Sequence, residues 1–397
     1  MVTSISSIGL HGMEGYRIQV EVHVLEGAPA FTIIGLPDLA VREARERVMS
    51  ALITMGGCDV SEKRVIVQLS PPEQKKSGPF FDIAIALGIL KEEGEINVEF
   101  DANIAFVGSL RLDGTIQSVD GLLPSVLVAS QLGFTQLYIP SALELPLANI
   151  PSLDIFPIQH LDDCVAHLQG QLSLSITGNK CANVVAEQSS RPSEYDFPPH
   201  VLGHERAKRA MMIAAAGGHH LFMTGPPGCG KTMLAERFPT ILPLLTDQQY
   251  LEMVSVYQMT NSTPPPKRIP PFRSPHHSSS YVALVGGGSN PKPGEASLAH
   301  HGVLFLDELP EFTRKTLDML REPLESGKVH ISRAQGTVTY PARFQLISAM
   351  NLVRVVIIEL KIVIVRVVLK RFKSIRTEFP VHCWIASIFS YHSFPYR

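Results

Sequence analysis

His220-Leu221-Phe222-Met223-Thr224 leads into Gly225-Pro226-Pro227-Gly228-Cys229-Gly230-Lys231-Thr232, a short apolar run entering a glycine-rich turn. The second half fits G-x-x-x-x-G-K-[ST], and a helical pattern follows it. Glycines let such a loop wrap close to an anion, so that backbone N–H groups and the next helix's N-terminus face phosphate oxygens. Lys231 can reach the β- and γ-phosphates as a point charge, and the Thr232 hydroxyl can ligate Mg²⁺. Cys229 occupies a variable position of the loop and is assigned no redox role. The eight residues Gly225 to Thr232 are the expected ATP-binding loop, with ATP and Mg²⁺ as cofactors. Strand, loop and helix in this order point to a P-loop α/β domain.

Downstream, Val303-Leu304-Phe305-Leu306-Asp307-Glu308 is an apolar strand ending in two carboxylates. It is expected to lie beside the phosphate-loop strand. Asp307 would hold Mg²⁺ through water, and Glu308 would polarise the attacking water. A third strand, Phe344 to Asn351, ends in an amide. Glu308 and Asn351 are therefore the expected catalytic residues, Asn351 orienting water near the γ-phosphate.

Around this core the 397 residues divide into a first α/β region over 1–170, a polar linker over 171–196, the nucleotide-binding core over 197–351, and a tail over 352–397. In the first region Tyr16–Val24 alternates as a half-buried strand does, and Leu39–Met55 has helical spacing after Asp38. Arg64–Leu69, Ile104–Val107 and Leu137–Ile139 read as further strands, and Asp82–Leu90 and Leu122–Leu132 as helices. Hydrophobic residues make up 45% and charged residues 18%, which excludes disorder throughout. Lys and Arg total 35 against 37 Asp and Glu, a net charge of −2, so no basic body for passive nucleic-acid binding is present. The five cysteines form no C-x-x-C pair, and neither a leader nor a membrane span is apparent. Both features fit a cytoplasmic protein.

The stretches Glu205–Pro243, Phe272–Phe312 and Leu320–Asn351 closely resemble the ComM/YifB family of magnesium-chelatase-like AAA+ ATPases. The resemblance implies a homo-hexameric ATP hydrolase acting on DNA, with branch migration during recombination and natural transformation as the work of its ComM-type members. Lys75–Leu90 and Val107–Pro140 more distantly resemble the Lon protease domain, an α+β fold of ribosomal-S5 type. A Lon-type protease needs a serine nucleophile and a lysine base. The matching positions hold Phe80 and Leu123, so no proteolysis is expected. Two other readings are an inactive nucleotide-binding remnant and a magnesium-chelatase subunit.

Three histidine pairs, His219-His220, His276-His277 and His300-His301, raise the question of a metal. Neighbours on a strand point to opposite faces, which argues against joint ligation. For DNA contact the candidates are Lys328, Arg333 and Arg343, in or beside an expected hairpin around Ala334-Gln335-Gly336, and Arg273 in a second insert. A few cations per subunit, repeated around a ring, could follow a phosphate backbone.

The resemblance stops after Asn351. Residues 352–397 carry eight Lys or Arg against two Asp or Glu, unlike the rest of the chain. Back-translated from the last base of each codon, Asn351–Val356 can encode P-C-P-C-G, and Glu378–Phe389 can encode I-S-G-P-L-L-D-R-F-D-L. Both are motifs of the resembled family. The expectation is a lost base near the Asn351 codon, leaving an out-of-frame, unfolded tail and an AAA+ domain without its C-terminal lid and arginine finger.

Overall fold

The computed structural model describes residues 2–56, 60–141, 153–174, 203–260, 262–265, 268–288, 291–333, 336–351 and 364–368. The chain divides into two compact units, Met1–Gln188 and Ser189–Arg397. Most of the expected linker lies outside the described residues.

The first unit is a seven-stranded mixed sheet with helices. Its elements are β1 (Thr3–His11), β2 (Glu14–Glu26), β3 (Ala30–Ile34), α1 (Leu39–Thr54), β4 (Lys63–Ser70), α2 (Asp82–Glu92), β5 (Ile104–Phe106), α3 (Leu122–Gln131), β6 (Gln136–Pro140), β7 (Asp154–Ile158) and α4 (Leu161–Leu168). The strand order is β3-β4-β2-β1-β5-β6-β7. Along β2, Ile18, Val20 and Val22 are buried while Gln19 is exposed, the period of two that made this strand legible. Helix α1 starts where Asp38 accepts the Val41 N–H at 2.9 Å. Helix α2 is buried all round from Asp82 to Leu90, so it is a core helix with no wet face. A Cβ on Gly88 would come within 2.5 Å of Val22, and the glycine thus lets α2 lie close on β2. Asp82 is buried there because it accepts from Arg47, Ser109 and the Leu110 amide at 2.7 to 3.0 Å. Strands β1, β3 and β7 have no counterpart in the sequence reading.

In the second unit the main elements are α5 (Glu205–Gly217), β8 (His220–Gly225), α6 (Lys231–Ile241), α7 (Asp247–Gln258), β9 (Phe272–Arg273), α8 (Tyr281–Val285), α9 (Glu295–Leu298), β10 (Val303–Leu306), the hairpin β11 (Lys328–Arg333) with β12 (Gly336–Pro341), β13 (Gln345–Asn351) and β14 (Ile364–Val368). The sheet order is β9-β10-β13-β8-β14. This corrects one expectation: β10 is not beside the phosphate-loop strand. Strand β13 lies between them, because Ile347 pairs in parallel with Leu221 on one side and Phe305 on the other. All three residues are essentially inaccessible. A strand buried on both faces and both edges is apolar throughout, as Val303–Leu306 is. Of the tail expected to be unfolded, Ile364–Val368 form a strand antiparallel to β8.

Candidate functional site

Three parallel strands, β8, β13 and β10, end on the same edge of the second sheet. They deliver Gly225, Asn351 and, one residue beyond β10, Asp307. Crevices at the carboxyl ends of parallel strands are where such sheets bind ligands. The loop after β8 turns through Gly228 (φ 73°) and Gly230 (φ 85°), and α6 begins at Lys231. Both glycines adopt left-handed backbone that other residues disfavour. A Cβ on Gly228 would meet nothing within 4 Å, so the glycine is required there by its backbone conformation and not by crowding.

Lys231 is 6% exposed. Its ammonium donates to the carbonyls of Gly225 (3.1 Å) and Pro226 (3.0 Å) and to Oδ1 of Asn351 (2.9 Å). The last bond spans two strands and joins two residues chosen separately from the sequence. Thr232 Oγ1 donates to Oδ2 of Asp307 at 2.8 Å, and the Glu308 amide donates to Oδ1 of Asp307 at 2.9 Å. Glu308 sits at φ 51°, a backbone conformation that costs a non-glycine residue about 1 kcal/mol or more. Pro227, Gly228, Gly230, Lys231, Thr232, Asp307, Glu308 and Asn351 line one cavity of about 430 Å³. Met233 also lines it and was not foreseen; its place in the first turn of α6 was the available signal. Gly225, Pro226 and Cys229, though expected in the ATP-binding loop, are not among the lining residues. Cys229 packs instead toward the core beneath the loop.

The donor set fits magnesium nucleotide. A hydroxyl and a carboxylate already in contact are hard oxygen ligands of the kind Mg²⁺ takes, and an ammonium beside an exposed helix N-terminus suits phosphate.

The DNA candidates separate. Arg273 is bound bidentately by Glu295 at 2.6 and 2.7 Å, and this pairing raises its pKa. Its fork is therefore occupied. Lys328 and Arg333 lie exposed on β11, and Arg343 is exposed just after β12. Arg333 reaches the carbonyl of Gly288 at 3.3 Å, and Tyr340 donates to that of Pro291 at 2.8 Å. These two bonds tie the hairpin to the glycine-rich insert. Ala334 and Gln335 lie outside the described residues.

The histidine pairs also separate. His220 Nδ1 accepts the Leu346 amide at 2.9 Å, which uses it in the sheet. His300 and His301 are not on a strand, and the argument from opposite faces fails for them: they occupy the turn between α9 and β10. Their Nε2 atoms stand 3.5 and 2.8 Å from Oε2 of Glu252. The three side chains could surround a cation by distance alone. The tautomer opposes it. His300 Nδ1 accepts the Arg343 amide at 3.1 Å, so in the neutral ring Nε2 carries the proton and has no lone pair for a metal. The imidazoles of His300 and His301, at 3.5 and 2.8 Å, hold Glu252 well below the usual carboxylate range, and burial pushes His300 down. The cluster clamps α7 to the start of β10 and β13.

Among the described residues no helix is long and apolar enough to cross a membrane. Residues 198–363 match the family described as magnesium chelatase, subunit ChlI, and residues 20–142 match that described as subunit ChlI of Mg-chelatase. The chain is 41% identical to the uncharacterized protein YifB of Salmonella typhimurium over 342 residues, and 42% identical to the competence protein ComM of Haemophilus influenzae over 344. Each alignment covers 86% of this chain and 66% of the relative, so the chain spans slightly under two thirds of their length. It is 38% identical to the uncharacterized protein Mb2921c of Mycobacterium bovis, with 87% of this chain and 68% of the relative covered. The chain belongs to the ComM/YifB family of magnesium-chelatase-like AAA+ ATPases.

Proposed function

We propose that the second unit binds ATP with Mg²⁺ and hydrolyses it, and that the work of the intact assembly is movement on DNA. The observation that carries the nucleotide reading is the convergence of Lys231, Thr232, Asp307, Glu308 and Asn351 from three strands onto one cavity. Lys231 neutralises the β- and γ-phosphates, exchanging its loop carbonyls for phosphate oxygens. Thr232 and Asp307 would hold the magnesium ion. Bound there, the ion supplies charge neutralisation across the phosphates. Glu308, at the cavity mouth, accepts the proton side of the attacking water, and Asn351 orients that water through its side-chain amide. Lys231→Ala is expected to abolish binding of a fluorescent ATP analogue, because the only lysine among the described residues lining the cavity is removed. Retained affinity would overturn the assignment.

DNA action is supported by ComM being a competence protein and by the exposed cations Lys328, Arg333 and Arg343 in and beside the hairpin. A homo-hexameric ring would bring six such hairpins together. Loss of DNA affinity in a Lys328→Ala, Arg333→Ala double variant, steeper at low salt, would support it. The first unit carries no protease chemistry in this reading, since Phe80 and Leu123 are apolar and buried. Residues 352–397 are read as out of the family's frame, although the family match runs on to residue 363. On that reading turnover by this chain is slow while binding persists.

A further inference from the structure

We propose that the open edge of the first unit's sheet is an interface, and that its partner is the same edge of a second copy of this chain, paired antiparallel across a two-fold axis at Thr32. The inference goes beyond the nucleotide reading and does not depend on it. The seven-stranded sheet has two edges, β3 and β7. An edge strand presents unpaired N–H and C=O groups, which proteins usually blunt with charge or proline. Strand β7 is blunted both ways, by the exposed Asp154 at its start and by Pro157 within it. Strand β3 reads Ala-Phe-Thr-Ile-Ile and has neither. No charged residue occurs from Gly27 to Pro37. Among the described residues β4 is the only strand paired with β3.

The chain beside this edge is apolar as well. Ile34 is 48% exposed, Leu36 56% and Leu39 72%. Leu36 has φ 55°, a left-handed backbone that a leucine disfavours, and its side chain is still left outside the core. Helix α1 follows at once and exposes Arg42, Glu43, Arg45 and Glu46. Two cations and two anions within about one turn form a face that complements itself when a copy is turned over. An acidic or a basic partner would be repelled by half of it. Antiparallel pairing about Thr32 sets Ala30 opposite Ile34, and Phe31 opposite Ile33, of the second copy. Pro29, just before β3, has no N–H to donate, so the ladder is confined to these few residues. A contact that uses the same patch on both chains closes at two, and it needs nothing from the second unit.

The test uses the 397-residue chain without nucleotide, so that contacts driven by ATP do not enter. Residues facing each other across an antiparallel pair have Cα atoms about 4.5 to 5.5 Å apart, within reach of a disulfide. Under mild oxidation Thr32→Cys should therefore give a covalent dimer that the parent does not give, and Asp154→Cys on the other edge should give none. Thr32 is exposed, so Thr32→Lys leaves the fold intact while setting two ammonium groups against each other at the axis. Sedimentation velocity over a range of concentrations should show a parent dimer whose dissociation constant rises at least about tenfold in Thr32→Lys and is unchanged in Thr32→Ser. A chain carrying Arg42→Glu with Arg45→Glu, and one carrying Glu43→Arg with Glu46→Arg, should each pair poorly alone and pair with each other when mixed. A parent that stays monomeric at every concentration overturns the proposal. So does a dimer that survives Thr32→Lys, or cross-linking as strong through Asp154→Cys as through Thr32→Cys. Binding of a fluorescent ATP analogue should be the same in all these variants, so loss of the nucleotide reading and loss of this interface are seen separately.

Discussion

The two units each place a loop and a helix start against a sheet, and they differ in the residue types that stand there. In the first, the positions matching a protease nucleophile and base are Phe80, 5% exposed, and Leu123, fully buried. In the second, Lys231 is as buried as Phe80, but its ammonium is met by two carbonyls and an amide oxygen. Burial by itself therefore does not distinguish a core from a site. The difference is whether the buried groups are polar and answered by polar partners across strands. A scaffold keeps its shape when its reactive residues become apolar, because packing is indifferent to the lost function.

The largest expected effect is on turnover. Inserting one base at the Asn351 codon should yield an S-G-P-L-L-D-R segment and raise the ATPase rate by at least about 10³-fold. Both forms should be compared for rate and sedimentation with DNA present. If the 397-residue chain already turns over and assembles like the lengthened one, the frame argument is wrong.

The next test reverses the contrast in the first unit. Phe80→Ser with Leu123→Lys restores the residue types of a dyad. Expected is a loss of several kcal/mol, since a cavity and an unpaired buried ammonium are introduced together. Cleavage of unfolded casein should be absent in the parent and in this variant. Casein turnover that survives Lys231→Ala but is lost on mutation of the first unit would break the comparison.

Smaller effects belong to the clamp of Glu252, His300 and His301. Burial favours neutral His300, and the unfolded chain then binds more protons as pH falls below about 6.5. Glu252 favours its ionised form, so its contribution is complete above about 4.3 and is lost as pH falls further. Both slopes have the same sign: thermal stability should drop on acidification, first near neutral pH and again below 4.3. Glu252→Gln should flatten the lower step and cost under about 2 kcal/mol at pH 7, since the carboxylate is more than one third exposed. An unchanged acid profile in that variant would remove the clamp from the account.

Much of the fold was legible because the signals are local. The alternation of Ile18, Val20 and Val22, the cap at Asp38 and the glycines at 228 and 230 are each decided by residues a few positions apart. Strands β1, β3 and β7 escaped notice for the opposite reason. In β1, Ser6 and Ser7 are buried polar residues answered by the carbonyls of Ala102 and Phe106, about a hundred positions away in sequence, so no local pattern marks them.

The nucleotide loop, the two carboxylates after β10 and the amide at Asn351 follow from sequence, since each is a short run whose chemistry is carried by its own residue types. Sequence could not decide their neighbours. That β13 separates β8 from β10, that Lys231 meets Asn351, and that Arg273 is occupied by Glu295 are consequences of how the strands and loops pack together. This is fixed by which apolar faces bury together over long separations, a choice made by packing in three dimensions and unwritten in any single stretch of the chain.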